Sequence, residues 1–183
     1  MLRHGLSLAV LLALVLGTGI AAWAETIEAV GKSGGDDGHR WESQGRKSPK
    51  KAAVGKPDGR LEVKVKNGDV ISFKVDSGKH GVLFEKAAKE MTEGVWEIVK
   101  GSGELKELPA TSPFDRFDRK TARTTDPQGM GSKLIEIKIK NLKPGTGNGI
   151  LFACNPHSSM GDATMTSMLG VIVLAEEKKE KKD

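Results

Sequence analysis

The chain has one cysteine, Cys154, in 183 residues. A single thiol cannot form an internal disulfide, and a bare thiol in an oxidising compartment is a liability, so Cys154 calls for either a ligand or an inert buried place. Histidine is scarce too: His4, His39, His80 and His157 are the whole supply. That number excludes several histidine-rich metal centres within one chain. Charge of one sign is not in large excess, with 29 Lys+Arg against 24 Asp+Glu. The surplus is mild and scattered, which argues against nucleic acid as a partner. Long apolar runs are missing apart from Leu6 to Leu16, and that stretch is short for an uncleaved membrane anchor.

That one run has the flanks of a targeting segment. Basic Met1-Leu2-Arg3-His4 precedes it and small residues ending Ala22-Trp23-Ala24 follow it, the order of a cleaved secretory signal. Residues 1–24 are therefore expected to leave, with export as the consequence and no stable membrane insertion afterwards. About 159 residues remain, enough for one domain with a core.

From Gly31 to Gly59 the sequence is rich in Gly, Ser, Lys, Asp and Pro and poor in apolar residues. Such a composition buries too little surface to offset its ordering entropy, so residues 25–60 are expected to form a flexible leader. Residues 176–183 alternate acid and base and read as a solvated tail. No internal repeat is visible.

Between these ends period-two alternation dominates, in Leu61-Glu-Val-Lys-Val-Lys, Val70-Ile-Ser-Phe-Lys-Val and Leu134-Ile-Glu-Ile-Lys-Ile-Lys. Strands with one buried face have this period. Asn67-Gly68-Asp69 is a turn signal, so the first two runs are expected to pair as an antiparallel hairpin. Gly149 to Cys154 and Met168 to Leu174 are short apolar runs that suit central strands of a sandwich. Glu85 to Met91 could form a helical turn or two, and Pro109 to Gly131 is polar and turn-rich, a long surface loop. The expected fold is all-β, with residues 61–175 as one sandwich domain carrying a short helical insertion.

Cys154-Asn155-Pro156-His157 puts a thiol and an imidazole on one loop after a strand, followed by Met160, Met165 and Met168. A thiolate, imidazoles and a thioether together select copper rather than magnesium or calcium, because soft sulfur suits Cu(I) and imidazole suits both oxidation states. A second imidazole must come from elsewhere. His4 leaves with the signal and His39 lies in the expected leader, whereas His80 sits between two strand runs.

Gly68-Asp69-Val-Ile-Ser-Phe-Lys followed by His80-Gly-Val-Leu-Phe84 resembles the first ligand region of the plastocyanin and pseudoazurin family of cupredoxins. Leu142-Lys-Pro-Gly-Thr, Phe152-Ala-Cys154-Asn-Pro-His157 and Met168-Leu-Gly-Val-Ile-Val resemble its closing hairpin. The resemblance runs from about Leu61 to Ala175. It implies a Greek-key β-sandwich holding one copper ion, with His80, Cys154 and His157 near-trigonal and Met168 axial. It also implies a Cu(I)/Cu(II) electron carrier that docks briefly with redox protein partners as a monomer and is not an enzyme. Met160 is the alternative axial ligand, since Cys-x-x-His-x-x-Met occurs in the amicyanin branch. A periplasmic copper carrier or storage protein is the alternative function, because Met160, Met165 and Met168 together could hold Cu(I). Gly81 departs from the family, which usually has asparagine there.

Overall fold

The computed structural model describes residues 24–33, 39–48, 60–109, 118–145, 147, 149–155 and 168–176. Alternating apolar residues give the strands their inner faces. Among these residues the strands are β1 (Thr26–Lys32), β2 (Arg40–Ser43), β3 (Arg46–Lys47), β4 (Leu61–Val65), β5 (Val70–Val75) and β6 (Val82–Phe84). They continue as β7 (Trp96–Ile98), β8 (Lys106–Glu107), β9 (Arg123–Thr124), β10 (Lys133–Ile139), β11 (Ile150–Cys154) and β12 (Leu169–Leu174). A six-residue helix, α1 (Ala87–Thr92), lies between β6 and β7.

The strands form two sheets, in the orders β3-β2-β1-β5-β10-β7 and β4-β12-β11-β6-β9-β8. Most pairs are antiparallel, but β1 runs parallel to β5 and β12 parallel to β4. One core lies between the sheets. Ile71, Phe73, Ile135 and Ile137 come from the first sheet, and Val63, Phe84, Ile150, Phe152 and Ile172 from the second. Phe73 meets Phe84 and Phe152 edge to face, with ring centroids 5.4 and 5.1 Å apart, a favourable arrangement for aromatic pairs. Leu83 and Ala153 alternate to the other side of their sheet and are covered by Leu108, Ala122 and Leu169. The expected all-β sandwich with a short helix is what the chain forms.

Three expectations need correction. β4 and β5 are not hairpin partners, because the turn between them carries the chain from the second sheet to the first. The buried Asp69 side chain makes that switch: its carboxylate accepts N–H groups of Lys66 at 2.7 Å and Glu25 at 3.0 Å, and Gly68, at φ 103°, donates its N–H to Ile139. Residues 25–60 are also not a uniform flexible leader. Thr26–Lys32 sits between β2 and β5 in the first sheet, and Trp41 on β2 is fully buried in the core. Burial of Ile27, Ala29 and Trp41, together with the β1–β5 ladder, orders this segment. Finally, the Pro109 to Gly131 loop contains β9, whose ladder with β6 buries Ala122, Thr124 and Thr125.

The expected signal and charged tail fall almost entirely outside the described residues. Among the described residues no helix is long and apolar enough to cross a membrane.

Candidate metal centre

β6 and β11 are antiparallel neighbours, with Cys154 opposite Val82, so the chain just before β6 and the chain just after β11 meet at one end of the sandwich. Cys154 shares its side of the strand with Ile150 and Phe152, and this alternation directs its thiol inward. His80 precedes β6 and is clamped by its main chain: its N–H donates to Gln128 O at 3.0 Å and its carbonyl accepts Gln128 N–H at 2.7 Å. Both side chains are completely buried.

His80 Nδ1 lies 3.4 Å from Cys154 Sγ. Its other ring nitrogen, Nε2, is 2.9 Å from the carbonyl of Ser77 and 2.8 Å from Ser33 Oγ. A carbonyl can only accept, so Nε2 carries the proton and Nδ1 presents a lone pair to the sulfur. Burial pushes the His80 pKa down to about 4; the Ser77 carbonyl opposes this shift and nearby His39 adds to it. The imidazole is therefore neutral at physiological pH, the form a metal requires.

Cys154 also faces Met168 across the β11–β12 hairpin. Its N–H donates to Met168 O at 3.1 Å, and the Met168 side chain is fully buried in the same core cluster as Cys154. Of the expected ligands, His80 and Cys154 come together and Met168 lies beside Cys154 along the backbone, while His157, Met160 and Met165 fall outside the described residues. No group of three His, Cys, Asp or Glu side chains suited to a metal occurs among the described residues.

Gly81 has a structural reason. A Cβ there would lie 3.2 Å from Thr125 O and 3.3 Å from Pro127 Cα, because the β9 segment packs against the turn. The bond that an asparagine would supply is replaced in part by the main chain, with Asn155 N–H donating to Gly81 O at 3.0 Å. Thr125 adds to the link: its hydroxyl accepts Val82 N–H and its carbonyl accepts Asn155 Nδ2 at 3.5 Å.

Sequence reasoning missed the contribution of residues 26–33 and 39–48. Trp41 packs its ring 6.1 Å from that of His80 and 5.9 Å from Phe152. His39, expected in the leader and away from the site, meets His80 edge to face at a centroid distance of 5.9 Å. The signal was present in Thr26-Ile-Glu-Ala-Val, a short alternating run beside a Gly-rich stretch.

The donor set fits copper: a buried thiol faces an unprotonated imidazole nitrogen whose far side is already tied to a carbonyl, the arrangement that orients a metal-bound histidine.

No protein-family model matches the chain, and no curated protein matches it. Among solved structures, it is similar to a dithionite-reduced auracyanin from the photosynthetic bacterium Roseiflexus castenholzii, at 18% identity and a TM-score of 0.40, covering 85% of this chain and 99% of that one. It is similar to auracyanin A, a blue copper protein of Chloroflexus aurantiacus, at 12% identity and a TM-score of 0.37, covering 82% and 98%. A multicopper oxidase from Aquifex aeolicus is similar at 11% identity and a TM-score of 0.37, covering 82% of this chain and 26% of that one.

Proposed function

We propose that the protein is an exported type 1 copper protein of cupredoxin kind that carries single electrons between redox partners and is not itself an enzyme. The observation that supports this reading is the buried pair of Cys154 Sγ and His80 Nδ1, 3.4 Å apart, with the imidazole proton held on the opposite nitrogen. Bound copper would supply the Cu(I)/Cu(II) couple. Cys154 would give up its proton and bind as thiolate, and His80 would offer the Nδ1 lone pair it already presents. His157 and Met168 complete the proposed ligand set, with Met160 the alternative to Met168.

The main-chain bonds around His80, Val82, Cys154 and Asn155 join β6, β9 and β11 into a stiff frame. A frame of this kind keeps ligands in place when charge changes, which favours rapid electron exchange. The partners are transient redox proteins that dock on a small interface outside the cytoplasm, and the carrier works as a monomer without nucleic acid.

Titrating the purified protein with Cu(II) tests the proposal. Uptake of one equivalent with an intense visible absorption is expected, reporting charge transfer from the thiolate. Cys154→Ser should remain colourless while keeping its β-type far-ultraviolet circular dichroism. A wild-type protein that stays colourless would overturn the reading.

A further inference from the structure

His80 receives support from a segment that follows β1. Ser33 places its hydroxyl 2.8 Å from His80 Nε2 and 2.7 Å from Nδ1 of the exposed His39. Ser33 is itself fixed by a reciprocal pair of bonds with Ser77: its N–H donates to Ser77 Oγ at 2.8 Å, and Ser77 Oγ donates to its carbonyl at 2.9 Å. The Ser77 carbonyl sets the direction of the first bond. Because Nε2 donates, Ser33 Oγ accepts from it, which leaves the hydroxyl proton available to His39 Nδ1.

Two glycines make the space for this arrangement. A Cβ on Gly31 would lie 2.9 Å from His80 Cγ, and one on Gly78, at φ 78°, would lie 2.1 Å from Ser33 Oγ. The imidazole and the hydroxyl thus occupy room that only glycine leaves at those two positions.

We propose that Ser33 is a positioning residue for His80: with His39 orienting its hydroxyl, it shares the Nε2–H that the Ser77 carbonyl already accepts and holds the ring with Nδ1 aimed at Cys154. The consequence for metal binding rests on the copper function proposed above; the control of the imidazole does not. Ser33 also stands between Nε2 and the exposed His39, so its hydroxyl shields the Nε2 proton from water.

The test compares wild type, Ser33→Ala, Ser33→Thr and His39→Ala, first without metal. Exchange of the His80 Nε2–H with solvent is followed by NMR of ¹⁵N-labelled protein. Ser33→Ala should accelerate that exchange at least about tenfold, Ser33→Thr should restore it, and His39→Ala should produce a smaller acceleration while disturbing only an exposed position. With Cu(II) added, Ser33→Ala should lower affinity by about 10- to 100-fold, the usual effect of losing a bond that orients a ligand, and should shift the visible absorption. Unchanged exchange in both Ser33→Ala and His39→Ala would overturn the proposal. If the wild type takes up no copper, the function proposed above fails while the metal-free comparison still decides the role of Ser33.

Discussion

A methyl group at position 31 has no room. His80 cannot retreat from it, because its ring nitrogens face Cys154, Ser77 and Ser33 and its main chain is bonded twice to Gln128. Gly31→Ala is therefore expected to cost about 1–3 kcal/mol, as forced overpacking of a filled core does, and also to weaken copper uptake. Gly170→Ala is the control. Its Cβ would lie 2.0 Å from Phe152 Cζ, so it should lose comparable stability, while its effect on the His80 Nε2–H exchange should be smaller. Thermal unfolding of both variants, with the imidazole exchange read in the same samples, checks the pair. Equal effects on that exchange would mean that the Gly31 contact is not special to His80.

At the level of elements, α1 and β7 are joined by Glu90, whose carboxylate accepts Trp96 Nε1–H at 2.9 Å. Burial raises the Glu90 pKa, and the bond from Trp96 and the charge of Lys86 only partly oppose it. A carboxyl with a raised folded-state pKa favours folding at low pH, and that advantage fades as pH rises through the folded value. Glu90→Gln keeps an acceptor for Trp96 without the charge. Its melting temperature should exceed that of wild type at pH 7, and the difference should shrink as pH falls through the raised folded value to the ordinary glutamate range and stay level below it. A difference independent of pH would refute this account. Sequence periodicity marked β4, β5, β10, β11 and β12 because each alternates or forms a compact apolar run. It could not assign β4 and β5 to different sheets, since Asn67-Gly68 signals a reversal and the sheet switch depends on Asp69 reaching Glu25 from 44 residues away. β2 was hidden because composition averaged over Gly31 to Gly59 obscured Trp41, and β1 because Ile27 and Ala29 sit in a short run just before that stretch. Likewise, Cys154 and His80 were legible as ligand types, whereas Ser33 and Ser77 become meaningful only once β1 lies beside β5.

For the molecule as a whole, residues 24–33 and 39–48 are part of the structure and not an appendage. A chain starting at Arg60 would lose β1, β2 and β3, leave β5 as an open edge of its sheet and empty the Trp41 site against Phe73 and Phe152. Such a chain is expected to show no cooperative thermal transition and to associate through the open edge of β5, as size-exclusion chromatography and near-ultraviolet circular dichroism would reveal. A cooperative monomer would show that the segment is dispensable. The parallel pairing of β12 with β4 bears on the order of events in the cell. β12 lies inside its sheet, between β4 and β11, yet follows every other strand in the chain, so during vectorial synthesis the second sheet has a gap until Leu169–Leu174 has emerged. Long-range pairing of this kind is slow to form. A polypeptide threaded through a membrane pore while still being extended would thus reach the far side without a finished core. On the export proposed above, the frame around its thiol would be completed only there, after translocation.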